Sequence, residues 1–360
     1  MEEFKKDIVQ ETIYIQLMAL KKLQKALQAD EFTMPETVIH ARRRLARLFL
    51  SSGKKPLVGL NDWAITMLQP VKEWLPEAEF LLDPDAPLWE EDGWSRDAED
   101  FMQAYGKPED YQEQTVAKVV EYCRQYQDQQ GYVLFRSFLS DPDRAVVSEE
   151  QLNQMAASFS DEFLKQQIRA CYEPFTEWNR GRKCPNCGWS LTMKSGAWRC
   201  GRANVCGKLE EVFKWSLQTA ELFPFKKRTH IYRLRPGIHR YTLVPGIPEK
   251  RIADHLAKTH QIERYPDQDH FDISIQQDNQ KIYLDVKCFR RPTHLATYIE
   301  QLGEERLEPF RNVAYFVVPD EYVYVQNRYI DQVNNRIEHL GVTVYQEKEL
   351  YQLLKKGAEV

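Results

Sequence analysis

Phe271-Asp272-Ile273-Ser274-Ile275-Gln276-Gln277-Asp278-Asn279-Gln280-Lys281-Ile282-Tyr283-Leu284-Asp285-Val286-Lys287 is the stretch that decides the fold. Apolar and polar residues alternate over 271–275, the period of a strand with one buried face. Gln277-Asp278-Asn279-Gln280 is a polar turn, and residues 281–287 resume a strand pattern. The two strands predict a hairpin. Asp272 opens the first strand, and Asp285-Val286-Lys287 closes the second. Side chains alternate along a strand, so Asp285 and Lys287 share a face. Asp272 on the neighbouring strand reaches the same end of the sheet.

Two carboxylates so placed can hold a hard divalent cation, Mg²⁺ above all, with waters completing its octahedron. Such an ion activates water and stabilises charge on a phosphate. A lysine beside it can orient the water and offset developing negative charge. D-x-K by itself carries little weight: Glu3-Phe4-Lys5 also fits the E-x-K variant and sits in a helical pattern. The strength lies in the arrangement of both acids and the lysine on paired strands. The competing account is a strand-end salt bridge.

Working outward, the hairpin sits among alternating helix and strand patterns. A helix is predicted at 248–260, after Pro245-Gly246-Ile247-Pro248 breaks the chain. Further helices are predicted at 293–302 and 324–340, with strands at 313–318 and 342–345. The order α-β-β-α-β-α-β suits a mixed sheet flanked by helices over 244–360. In the first helix Glu249 aligns with Ala253 and Leu256 on the sheet-facing stripe, whereas Asp254 points elsewhere. Glu249 is therefore a third candidate acid, set against a plain helix-start role after Pro248. Asp269, in Pro266-Asp267-Gln268-Asp269-His270, belongs to a loop that can approach the same place.

Farther upstream the character changes. Residues 1–180 carry 21 Lys and Arg against 32 Asp and Glu. They predict an all-α region: Val9, Ile13, Leu17, Leu20 and Leu23 recur at helical spacing. Further helices are expected at 38–50, 114–126 and 149–170. The acidic stretch 83–92 is expected to be a solvated loop, and Arg42-Arg43-Arg44 with Arg47 a charged helix face. Residues 181–245 reverse the balance, with 13 basic residues against 3 acidic. A basic module between acidic flanks (246–360 has 15 against 19) predicts anion contact, nucleic acid first.

That module holds Cys184-Pro185-Asn186-Cys187-Gly188, then Cys200 and Cys206. A C-x2-C knuckle followed by two more cysteines predicts four thiolates around structural Zn²⁺, with no position left open for substrate. A redox C-x-x-C would explain neither Cys200 nor Cys206. Trp189 and Trp198 are expected to fill the small core. The connector after it carries Lys226, Lys227, Arg228, Arg233 and Arg235, candidates for phosphate contact with Tyr232 interleaved. Clustered cysteines point to a reducing cytoplasm, no apolar run is long enough to span a membrane, and no Walker A or G-x-G-x-x-G motif is present.

Asp272, Asp285 and Lys287, in the order helix–strand–strand–helix–strand, resemble the PD-(D/E)xK, or restriction endonuclease-like, nucleases. The resemblance covers about 245–360. It implies a Mg²⁺-dependent endodeoxyribonuclease, cutting DNA before RNA and leaving 5′-phosphates, with an acid such as Glu249 contributed by the first helix. The full motif order is a helical front half, Cys184 to Trp189, Pro245 to Glu249, Tyr265 to Asp272, then Asp285 to Lys287. It is similar to the nuclease subunit that accompanies pPIWI-RE proteins in prokaryotic defence cassettes. That similarity implies a Piwi-like protein and a helicase as partners and plasmids or phage as targets. The resulting layout is a helical domain at 1–180, a zinc ribbon and connector at 181–243, and the nuclease domain at 244–360. The rival reading is a non-catalytic zinc-ribbon nucleic-acid-binding or assembly subunit.

Overall fold

A computed structural model describes residues 2–29, 33–57, 59–90, 93–106, 114–176, 181–194, 196–200, 206, 216–225, 230–277, 280–326 and 328–357. The chain forms two compact units, Met1–Tyr111 and Gln112–Val360.

In the first unit the helix Glu2–Gln28 packs against Glu36–Ser51. Val9, Ile13, Leu17 and Leu20 are buried at their expected spacing, together with Leu45, Trp63, Met67 and Phe101. One polar side chain in this core is satisfied from both ends. Gln16 Nε2 donates to the Ala41 carbonyl at 3.0 Å, and Trp63 Nε1 donates to Gln16 Oε1 at 2.7 Å. The acidic stretch is less solvated than its composition suggests. Leu88 is fully buried, and Trp89–Glu90 pairs with Gly93–Trp94 as a short hairpin. Trp94 fixes that hairpin by donating to the Leu17 carbonyl at 3.0 Å. The arginine block lies on a helix face, where Arg44 pairs with Glu11 at 2.5 Å.

The second unit contains a five-stranded sheet of β1 (Gln261–Arg264), β2 (Ile273–Gln277), β3 (Gln280–Val286), β4 (Ala314–Val318) and β5 (Val344–Gln346), in the spatial order β5-β4-β3-β2-β1. β1, β2 and β3 form an antiparallel meander, while β3, β4 and β5 run parallel. The hairpin register places Gln277 opposite Gln280 and Ile273 opposite Leu284. Ile273, Ile275 and Leu284 are buried on one face, and the consecutive buried residues Phe316, Val317 and Val318 show that β4 is covered on both faces. The sheet is thus mixed, as the sequence predicts, with more elements than the pattern shows. β1, Gln-Ile-Glu-Arg, is an edge strand with little apolar signal, and the helix Glu304–Asn312 has only Leu307 buried.

Pro245-Gly246-Ile247-Pro248 does not break the chain. It lies within the helix α3 (Val244–Leu256), which continues a wide turn over His239–Leu243. A Cβ on Gly246 would come within 2.5 Å of Ser140, so glycine permits close packing on the preceding helical segment. That segment comprises α1 (Gln114–Tyr126) and α2 (Gln129–Leu139).

Candidate active site and metal centre

The structure brings Asp272, Asp285 and Lys287 to one end of β2 and β3. Asp272 lies immediately before β2, and its backbone N–H donates to the Leu284 carbonyl at 3.1 Å. Its Oδ2 accepts from the Val286 N–H at 2.6 Å. Asp285 Oδ1 accepts from Lys287 Nζ at 2.6 Å; the two side chains are 14% and 17% exposed. The Lys287 backbone N–H donates to the Val317 carbonyl on β4, extending the parallel pairing one residue past the strand. The site therefore sits where β3 ends between an antiparallel and a parallel neighbour.

Electrostatics tie these groups together. Burial, then the charges of Glu249 and Asp285, push the Asp272 carboxyl well above the ordinary carboxylate range. Lys287 shows the opposite balance. Burial opposes its charge, but Asp285, Tyr298 and Asp272 outweigh it and hold the ammonium protonated. The Lys287 ammonium also lies 5.1 Å from the centre of the Tyr298 ring. Two half-buried carboxylates beside a single ammonium offer the oxygen donors that a hard divalent cation suits.

Glu249 is buried on α3, at 3% exposure, together with Ala253 and Leu256. Asp254 is exposed and pairs with Lys250 at 2.5 Å. The Glu249 carboxylate accepts from Arg136 Nη2 at 3.3 Å on both oxygens, and Tyr265 OH donates to its Oε2 at 3.1 Å. Burial raises its pKa and Arg136 pulls it back. Asp269 acts through space on both Glu249 and Asp272. The loop carrying it is left-handed at Tyr265, Asp267, Gln268 and Asp269, with φ of 52°, 53°, 48° and 70°. Non-glycine residues pay for such backbone, and here side chains of α1 and α2 hold it. Gln129 donates to the Tyr265 carbonyl at 2.8 Å and accepts from the Gln268 N–H at 2.9 Å, while Arg124 donates to the Gln268 carbonyl at 3.1 Å. Sequence reasoning missed Arg136, Gln129 and Tyr265. They lie 113, 136 and 16 residues from the groups they hold; no local motif marks Arg136 or Gln129, and the motif that Tyr265 opens gives no sign of its contact with Glu249.

The four cysteines form a second centre. Cys184, Cys187, Cys200 and Cys206 are buried, and their Sγ atoms all lie within 4.8 Å of one another. Among the described residues this is the group of potential metal ligands that converges so closely. Cys187 and Cys200 Sγ are 3.5 Å apart, near the roughly 3.8 Å that Zn–S bonds of about 2.3 Å impose across a tetrahedron. Burial first, then the neighbouring thiols, push the Cys187 thiol well above its ordinary range. Hydrogen bonding with Cys184 first, then Cys206 and burial, does the same to Cys200 against an opposing pull from Cys187. Four buried sulfurs this close need a cation among them to be thiolates together, so the donor set fits Zn²⁺. The knuckle turns at Gly188, with φ of 71°, where a Cβ would fall 1.8 Å from the Pro142 carbonyl oxygen. Trp189 is buried and donates to the Leu234 carbonyl at 2.9 Å, with its ring stacked on His239. Trp198 is half-buried against the same core.

Of the connector residues, Arg235 is exposed. Arg233 is engaged internally: it pairs with Glu173 at 2.9 Å, donates to Ser190 Oγ at 3.1 Å and lies over the Trp189 ring. Its strand, Ile231–Leu234, is the middle one of a three-stranded sheet. Lys226, Lys227 and Arg228 lie outside the described residues.

Residues 246–359 match the family pPIWI_RE_REase, described as REase associating with pPIWI_RE. The matched region holds Glu249, Tyr265, Asp269, Asp272, Asp285 and Lys287. The cysteine centre and the Arg136 helix lie outside it. The carboxylate–lysine group therefore lies within the matched region, in agreement with the resemblance carried by its motifs. No curated protein and no solved structure matches the chain. No helix among the described residues is long and apolar enough to cross a membrane.

Proposed function

We propose that the chain is a Mg²⁺-dependent endodeoxyribonuclease of a prokaryotic defence system, acting beside a pPIWI_RE protein and a helicase to cut invading plasmid or phage DNA. The observation that carries this reading is the convergence of Asp272, Asp285 and Lys287 at the ends of adjacent strands, inside a region that matches an REase family. Asp272 and Asp285 would hold Mg²⁺, with Glu249 as the third acid beside them. The bound ion would supply positive charge at the scissile phosphate and lower the pKa of a water. Lys287, kept protonated, donates to the phosphate and aligns the attacking water. Zinc in the cysteine centre would be structural, and the basic run Lys226, Lys227 and Arg228 with Arg235 would meet the DNA backbone.

The test is cleavage of supercoiled plasmid, linear duplex and single-stranded DNA, with Mg²⁺, Mn²⁺ or EDTA, by the full chain alone and with its pPIWI_RE partner. Asp285→Ala serves as the control. Metal-dependent cutting that disappears in the variant supports the enzyme. A folded, zinc-loaded chain that binds DNA and never cuts, with or without the partner, would favour a binding subunit instead.

A further inference from the structure

α2 and the wide turn preceding α3 meet at a single guanidinium. Arg136 is buried. Its Nη1 donates to the Thr242 carbonyl at 2.8 Å and to Ser140 Oγ at 3.2 Å, and its Nη2 reaches both oxygens of Glu249. The same guanidinium lies 5.2 Å from the centre of the Tyr265 ring. Tyr265 closes the network: its hydroxyl donates to Glu249 and lies 3.2 Å from Ser140 Oγ. Its backbone N–H donates to the Asp272 carbonyl at 2.8 Å. A chain of direct contacts therefore runs from Arg136 through Glu249 and Tyr265 to the backbone of Asp272.

We propose that Arg136 is a positioning residue for Asp272, acting through Glu249 and Tyr265, so that α2 forms part of the nuclease site although it lies outside the family match. This rests on the reading of Asp272 as a metal-binding acid. The left-handed loop Tyr265–Asp269 is the element being held. Its backbone is unfavourable for the residues present, and its restraints come from Gln129, Arg124 and the Arg136 network. Release of Arg136 frees Tyr265, and Tyr265 is the residue hydrogen-bonded to Asp272. An acid fixed in this way presents its free oxygen in one place, whereas a loose one pays to be ordered each time an ion binds.

The experiment uses the zinc-loaded full chain, with Arg136→Met, Tyr265→Phe, Glu249→Gln and the Arg136→Met/Glu249→Gln double variant. Amide hydrogen exchange over 265–272 is read without added Mg²⁺ or Mn²⁺, and Mn²⁺ affinity is read from the free-ion resonance. Arg136→Met is expected to speed exchange at 265–272 and to weaken Mn²⁺ by about ten-fold. Tyr265→Phe, which keeps the ring and removes one hydroxyl, shows both effects more mildly and serves should Arg136→Met fail to fold. The double variant is expected to lose no more than the worse single one, because both residues act on one path. Unchanged exchange at 265–272 in the folded variants overturns the proposal, whatever the metal does. So do Mn²⁺ losses that add in the double variant. If wild type and Asp285→Ala bind Mn²⁺ alike, the metal-site reading fails instead, and the exchange result still decides whether Arg136 holds the loop.

Discussion

Val286, the residue between Asp285 and Lys287, donates its backbone N–H to the carboxylate of Asp272 across 2.6 Å. The first acid is thus fastened to the middle of the D-x-K triplet and not merely adjacent to it. The Asp272 carboxylate is tied to the backbone beside Asp285, so the placement of the two acids follows the pairing register of β2 and β3.

This coupling sets what single substitutions should do. Asp285→Ala removes a proposed metal-binding oxygen and the partner of Lys287 together, and is expected to abolish both cleavage and Mn²⁺ binding at this site. Lys287→Ala leaves both acids in place. It is expected to cut the cleavage rate by about 10²–10³-fold, the size of losing one charge-stabilising donor, while Mn²⁺ still binds. Single-turnover cleavage and Mn²⁺ titration, run in parallel, check the split.

The raised Asp272 carboxyl predicts a trade between stability and function. A folded acid with a raised pKa binds its proton more tightly than the unfolded chain does. Its contribution to stability is complete below the unfolded value of about 3.9 and is lost as pH rises through the folded one. As pH rises the protein without divalent cation loses that contribution, and Mg²⁺ bound at the carboxylate should restore stability. Asp272→Asn is expected to stabilise that form by about 0.5–2 kcal/mol and to abolish the Mg²⁺-induced rise in Tm. Thermal melts with and without Mg²⁺, across pH, check both parts.

The sequence carried the hairpin, the acids, the lysine and the four cysteines because each is a local pattern: alternation over five to seven residues, or paired cysteines on a turn. It did not carry Arg136 or Gln129, whose partners lie more than 110 residues away. It also misjudged Pro245 to Pro248, since proline and glycine together normally end a helix. Here helical backbone passes through all four residues, and glycine is required by the approach of Ser140. Arg233 was a candidate for phosphate contact by composition. Its ion pair with Glu173 and its place over Trp189 tie it to the fold, and that depended on strand pairing that no local pattern shows.

The cysteine centre is joined to the main core of its unit through Trp189, Leu191 and the cysteines themselves. Removing a zinc ion held there should therefore disturb more than the ribbon. Cys200→Ser is expected to lose the bound zinc equivalent and to lower Tm, and a zinc chelator should do the same to wild type. Acid should release the ion as the thiolates protonate. Metal analysis beside the melts is the check. Unchanged Tm after complete zinc removal would show that the four sulfurs pack adequately without it.

Gly188 offers the sharpest steric test. Its φ of 71° disfavours any side chain, and an added Cβ would meet the Pro142 carbonyl oxygen at 1.8 Å, far inside contact distance. Backbone cannot yield there as a flexible side-chain end could. The Gly188 N–H also donates to the Cys184 carbonyl at 2.9 Å, closing the knuckle that presents Cys184 and Cys187. Gly188→Ala is expected to cost about 3 kcal/mol or more and to weaken zinc retention, because relief of the clash requires either the knuckle or the 142 turn to move. Gly196, also at positive φ (80°) but with open space around its Cβ position, is the control. Gly196→Ala should cost only the conformational strain of about 1–2 kcal/mol and leave zinc in place. Equal effects at the two glycines would mean that backbone conformation alone, and not the approach to Pro142, sets the requirement at 188.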